Sequence, residues 1–186
     1  MNAPINRQQL IRRIADVALL RGEFTLRSGR KSSYYLDKYR FETDPELLAG
    51  LGRELASMVR EHAPGAALLA GPELGAVPLA AATSVESGLP FVIVRKDTKA
   101  YGTGNRLEGV WAPGTAVCVI EDVVTSGGAL LSAIAALREE NLDICAAIAV
   151  VDRQEGGAEA IAAEGVPYAA LYTVESLGLT PTPQTA

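Results

Sequence analysis

The sequence predicts an α/β fold built on a doubly wound, mainly parallel sheet, and three observations carry that prediction. Short apolar runs recur along the chain after Pro64 and Gly65, stretches with helical period separate them, and the runs are nearly continuous in apolar residues instead of alternating. Strands of that kind are covered on both faces, because each crossover lays a helix across the sheet. The chain has 186 residues, 48% of them hydrophobic and 21% charged, proportions of an ordinary globular protein. A single domain of this size buries roughly 70% of the surface its unfolded chain exposes, so neither a disulfide nor a structural metal is needed.

In chain order, Leu10, Ile11, Ile14, Val17 and Ala18 recur at helical spacing behind Asn6, which is suited to an N-cap; the pattern predicts an amphipathic helix from Asn6 to Leu20, ending near Gly22. Phe24 to Arg40 reads as strand, turn and strand, with Ser28 and Gly29 at the turn. Thr43 or Asp44 then caps a helix with Pro45 in its first turn, running to about His62. The strands predicted beyond it are Ala66–Ala70, Phe91–Arg95, Ala116–Ile120, Ile144–Val151 and Tyr168–Tyr172, and the helices between them are Val77–Ser87, Gly127–Glu140 and Glu155–Glu164. Residues 1–40 precede this alternation and form a small extra lobe, 44–175 make the α/β core, and the proline-containing tail 180–186 frays.

Seventeen Lys and Arg against 22 Asp and Glu give a net charge of −5, which argues against a nucleic-acid coat. Cys118 and Cys145 lie far apart in apolar runs with no CxxC, the pattern of buried reduced thiols and of a cytoplasmic protein. The N-terminus lacks a continuous apolar stretch, and no run approaches 18 apolar residues, so neither secretion nor membrane insertion is expected. His62, the single histidine, falls at a helix end as a surface residue, which leaves no partner for a Ser-His-Asp or multi-histidine site.

The segment Val117 to Ala129 carries the most chemistry. An apolar strand delivers Glu121 and Asp122 to its carboxyl end, where ligands bind in open α/β sheets. Thr125, Ser126, Gly127 and Gly128 then form a small-residue turn whose N–H groups, at a helix N-terminus, suit a phosphate. An ordinary strand-turn-helix junction capped by Thr125 or Ser126 is the bland alternative, but two buried acids without partners would be costly. Two acids beside a phosphate cradle suit a sugar phosphate, since carboxylates accept from vicinal hydroxyls. No Walker sequence occurs, and Gly102 and Gly104 lead into Leu107 and Glu108 instead of a dinucleotide motif.

These 13 residues resemble the phosphoribosyl pyrophosphate (PRPP) signature of type I phosphoribosyltransferases. That resemblance implies the family's fold, with a small N-terminal hood. It also implies that Glu121 and Asp122 address the ribose hydroxyls, while Val123, Val124, Thr125, Ser126, Gly127, Gly128 and Ala129 carry the rest of the PRPP site. Glu121 stands where many relatives have Asp.

Four further segments resemble the orotate phosphoribosyltransferases. Phe24 to Asp37 is a basic hairpin by its own pattern, with Arg27, Arg30 and Lys31 near a glycine turn. It is similar to that family's motif F-x-L-K-S-G-x-x-S-P-x-Y/F, which puts Arg27 in the place of a substrate-contacting lysine and the backbone of Tyr35 and Leu36, with Thr125, against orotate. Arg for Lys keeps the charge and changes the donor geometry. Val94 to Gly109 is a long loop carrying Arg95, Lys96 and Lys99 with Gly102, Gly104 and Gly109, which suits a lid that grips pyrophosphate. It resembles the flexible loop R-K-x-x-K-x-H-G, which implies Lys99 as a catalytic residue and a homodimer in which the 95–109 loop acts in trans. Tyr101 holds the histidine position, as in the bifunctional UMP synthases of eukaryotes. Finally, Asp152 to Glu155 is similar to F-D-R-x-E, which assigns Arg153 to orotate, and Gly71 to Gly75 to a pyrophosphate-binding loop, with Leu74 and Gly75 contributing backbone contacts.

The resemblance therefore implies transfer of the phosphoribosyl group from PRPP to orotate, with Lys99, Glu121 and Asp122 as catalytic residues and Mg²⁺ carried by PRPP with no dedicated set of protein ligands. The substrates are small molecules; no nucleic acid or membrane partner is expected. The alternatives are a phosphoribosyltransferase for another base, against which Arg153 argues, and a non-catalytic PRPP-sensing regulator, which the net charge of −5 disfavours.

Overall fold

The structure is a computed structural model and describes residues 5–25, 29, 31–96 and 106–180. The helix α1 (Arg7–Ala18) opens with Asn6 as its cap: Asn6 Oδ1 accepts from Gln9 N–H at 3.0 Å, and Gln9 Oε1 accepts from Asn6 N–H at 2.9 Å. It ends two residues earlier than its period predicts, because Leu19 and Leu20 join a strand, pairing with Leu36 and Tyr35. That strand, β1 (Leu19–Thr25), and β2 (Lys31–Leu36) form a separate two-stranded antiparallel sheet. A four-residue helix absent from the sequence reading, α2 (Tyr39–Glu42), follows and buries Phe41 completely. In α3 (Pro45–His62), Asp44 is the cap, accepting from Glu46 and Leu47 N–H.

The core alternates as predicted: β3 (Leu68–Pro72), α4 (Ala76–Ser87), β4 (Phe91–Val94), β5 (Leu107–Glu108), β6 (Ala116–Val124), α5 (Gly128–Glu139), β7 (Asp143–Asp152), α6 (Gly157–Ala163) and β8 (Tyr168–Thr173). The sheet order is β5-β4-β3-β6-β7-β8, parallel throughout except for β5. Along β6, Cys118 and Ile120 enter a core with Leu10, Ile14, Leu51, Leu55 and Leu79 from α1, α3 and α4; Val117 and Val119 enter a second core with Leu130, Ile134 and Ile161 from α5 and α6. Both faces are covered, as a doubly wound fold requires.

β3 lies two residues later than the predicted Ala66–Ala70, and two further departures have tertiary reasons. Glu121 and Asp122 are interior to β6 and not at its end, because pairing with β7 continues to Val124 opposite Asp152. A short edge strand, β5, interrupts the segment read as one loop, with Leu107 buried opposite Val94. Two residues are too few to show a period.

Candidate functional site

Strand order reverses between β3 and β6: α4 carries the chain one way to β4, while α5 and α6 carry it the other way to β7 and β8. Ligands bind outside the carboxyl ends of the strands at such a switch point. Here it is framed by the turn after β3, which holds Leu74 and Gly75, and by the end of β6.

Glu121 and Asp122 are 6% and 2% exposed. Glu121 Oε1 accepts from Asp122 N–H at 3.0 Å, while its Oε2 is buried with no hydrogen-bond partner among the described residues. Asp122 Oδ1 accepts from Val123 N–H at 2.5 Å, and Oδ2 from Lys38 Nζ at 2.5 Å. A third acid, Glu42, comes in from α2 and is 1% exposed. Gly75 makes room for it: a Cβ there would run into Asp122 Oδ2 and lie 2.7 Å from Glu42 Oε1. Burial first, and the Asp122 charge second, push both Glu42 and Glu121 up to about 8. Burial by itself would lower the Lys38 ammonium, but Asp122 outweighs it and holds Lys38 above its ordinary value. The upward shifts mean that the cluster carries less negative charge near neutral pH than three ordinary carboxylates would, and its burial costs less than its formal charge suggests.

Beyond β6, Val123 and Val124 end the strand, Thr125, Ser126 and Gly127 make the turn, and Gly128 and Ala129 begin α5. Gly127 has φ of 81° and packs 3.3 Å, measured from its would-be Cβ, from Gly157 at the start of α6. No side chain caps α5 and no acid stands in its first turn, so its N-terminal N–H groups are open to an anion.

Arg153, just past β7, is 8% exposed, lies 5.4 Å over the Tyr34 ring and pairs with Glu155 Oε1 at 2.9 Å. Tyr35 is 46% exposed and stacks 5.7 Å from Phe24, while Leu36 is buried. After β4, Lys96 N–H donates to Glu73 Oε1 at 2.6 Å, tying the start of the basic loop to the turn that holds exposed Leu74; Arg95 N–H donates to Arg106 O at 2.7 Å. Arg27, Lys99 and Tyr101 lie outside the described residues.

The structure thus brings together Glu121, Asp122, the 123–129 turn, Leu74 and Gly75. Sequence reasoning missed Lys38, Glu42, Tyr34 and Gly157. Glu42 carries no local signal, since an acid after one aromatic in a short segment reads as solvated; Lys38 adjoins the basic hairpin motif and was within reach of a wider reading of it. Among the described residues no group of three or more His, Cys, Asp or Glu is arranged to hold a metal ion, and no helix is long and apolar enough to cross a membrane.

The chain is 50% identical over 161 residues to the orotate phosphoribosyltransferase of Methanocella arvoryzae, covering 86% of this chain and 90% of that relative. It is 48% identical over 165 residues to the one from Halobacterium salinarum, covering 89% and 91%. Among solved structures, Mycobacterium tuberculosis orotate phosphoribosyltransferase in complex with PRPP superposes with a TM-score of 0.79 at 31% identity, covering 93% of this chain and 99% of that one. No family model matches.

Proposed function

The chain belongs to the orotate phosphoribosyltransferase family, and from that membership we propose how its own residues carry the reaction. It is a pentosyltransferase that moves the 5-phosphoribosyl group of PRPP to orotate, giving orotidine 5′-monophosphate and pyrophosphate in pyrimidine nucleotide synthesis. The observation that carries the assignment of roles is the buried acid pair on β6 running directly into a helix N-terminus with no side-chain cap.

The bond from the ribose anomeric carbon to pyrophosphate breaks as the bond to a ring nitrogen of orotate forms. Positive charge grows on the sugar and negative charge on the leaving group. Glu121 and Asp122 accept hydrogen bonds from the ribose hydroxyls and lie beside that growing positive charge. The N–H groups of Thr125 to Ala129 receive the 5′-phosphate. Arg95, Lys96 and Lys99, with backbone groups of Leu74 and Gly75 and with Arg27 and Tyr101, bind the pyrophosphate side; exclusion of water by the 95–109 loop strengthens each charge. Arg153 takes the orotate carboxylate with donors that Glu155 leaves over, and Tyr35, Leu36 and Thr125 hold the ring. The two-stranded β1-β2 sheet forms the hood over this side.

Mg²⁺ enters this proposal as an ion borne by PRPP oxygens, in keeping with its habit of retaining several waters and binding chiefly through substrate oxygens. When bound, it supplies neutralisation of the pyrophosphate charge. Homodimerisation with the 95–109 loop acting in trans, and a cytoplasmic place of work, complete the proposal; two free cysteines, one of them buried, support the latter.

The test is the fall in orotate absorbance with purified protein, PRPP and Mg²⁺, with uracil, adenine, hypoxanthine and xanthine in parallel. Turnover of orotate alone is expected, and activity on another base in its stead overturns the assignment of the base pocket. For the dimer, Lys99→Ala mixed with Asp122→Ala restores activity that neither variant shows if sites are shared; no recovery after subunit exchange refutes the trans loop.

A further inference from the structure

The short helix α2 and the residue before it bring two ionisable side chains to one carboxylate. Lys38 Nζ donates to Asp122 Oδ2 at 2.5 Å, with the lysine side chain one-third exposed and the aspartate almost fully buried. Glu42 comes close to the same oxygen: Asp122 Oδ2 and both Glu42 oxygens converge on the space that Gly75 leaves vacant. Among the described residues no donor gives a hydrogen bond to either Glu42 oxygen, although the residue is 1% exposed. A buried acid with no donor around it has one hydrogen bond open to it, the one made with its own proton, and the acceptor at hand is Asp122. The charged groups that face Glu42 are Asp122, Lys38 and Asp37: Lys38 favours loss of the proton, but burial first, and the Asp122 and Asp37 charges with it, outweigh Lys38 and hold the proton toward neutral pH.

We propose that Lys38 and Glu42 are positioning residues for Asp122, fixing the orientation in which its carboxylate meets the ribose hydroxyls of PRPP. The inference rests on the reading that Asp122 binds ribose. Lys38 anchors Oδ2 by a charge-assisted hydrogen bond, the strong kind. Protonated Glu42 completes the clamp and, by holding its proton, spares the site a second buried negative charge beside Asp122. Neither residue needs to touch orotate, so the effect of losing them falls on PRPP.

The experiment measures KM for PRPP and for orotate separately in Lys38→Met, Lys38→Arg, Glu42→Ala, Glu42→Gln, Asp122→Asn and the Lys38→Met/Asp122→Asn double variant. Lys38→Met and Glu42→Ala raise KM for PRPP about tenfold, the effect of one charge-assisted hydrogen bond, and leave KM for orotate within about twofold. Arg and Gln recover most of what Met and Ala lose, because both restore a donor toward Asp122. The double variant is no worse than Asp122→Asn alone, as expected when Lys38 acts through Asp122. If Glu42→Ala fails to fold, the Glu42→Gln and Lys38 variants still decide. Equal rises in both KM values, or losses that multiply in the double variant, overturn the proposal. If Asp122→Asn leaves KM for PRPP unchanged, the ribose reading falls and takes the proposal with it; if Asp122→Asn weakens PRPP and Lys38→Met does not, the positioning role alone falls.

Discussion

Gly75→Ala probes the candidate site at its tightest point. The backbone at Gly75, the N-cap of α4, has φ of −67° and ψ of −36°, so alanine is at ease in it and, by restricting the unfolded chain, would by itself add up to about 1 kcal/mol of stability. The obstacle is space. The new Cβ runs into Asp122 Oδ2 and stands 2.7 Å and 3.0 Å from the two Glu42 oxygens, well inside the separation of about 3.5 Å at which such atoms rest. Asp122 has little room to retreat, since Val123 N–H and Lys38 Nζ hold its two oxygens. Relief needs a shift of about an ångström, and a misplacement of that size costs about a hundredfold in rate, equivalent to about 2.7 kcal/mol of transition-state stabilisation. The assay is kcat/KM for PRPP by orotate absorbance, beside a thermal melt. The expected result is a folded protein, melting within about 8 °C of the parent, with kcat/KM for PRPP down about a hundredfold. A variant within about twofold of the parent would show that the carboxylates are free to move and that the crowding at Gly75 has no bearing on PRPP.

Arg153→Met removes a nearly buried guanidinium from over Tyr34 and should raise KM for orotate at least about tenfold while sparing KM for PRPP; equal effects on both substrates would contradict the assignment to orotate. Glu42→Gln should stabilise the protein increasingly as pH rises. The ordinary carboxyl value is 4.5 and the folded value about 8, so between them the native state binds more protons than the unfolded chain and its stability falls with rising pH. The Tm gain of the glutamine variant is therefore small near pH 5 and largest above about pH 8, and a pH-independent difference would refute the buried-acid account. Gly157→Ala lies outside every sequence motif, yet its Cβ would press on Val124 Cγ1 and lie 2.5 Å from the Thr125 carbonyl. It should cost about 1–3 kcal/mol of stability and raise KM for PRPP by shifting the 125–127 turn; an unchanged urea midpoint and KM would exclude that contact.

Much of this protein was legible in its sequence, because the signals concerned are local. Apolar runs such as Ala146–Val151 mark strands buried on both faces, Asn6 and Asp44 mark helix starts, and the small residues 125–128 mark a turn into a helix; each depends on neighbours in the chain. The acid pair Glu121 and Asp122 was legible for the same reason, since two charges inside an apolar run demand an explanation from residue types alone. Element limits were less legible. Leu19 and Leu20 fit the period of α1 but belong to β1, and β6 continues through its two acids to Val124, because in each case a partner strand supplies the ladder. Tertiary structure alone decided the surroundings of the acids. Lys38 lies 84 positions from Asp122 in the chain and meets it at 2.5 Å, and Glu42 becomes a buried acid that keeps its proton only because α2 folds back over the switch point between β3 and β6. Hydrophobic period and turn chemistry act over a few residues and can be read along a chain, whereas desolvation and charge pairing depend on what the fold brings together across it.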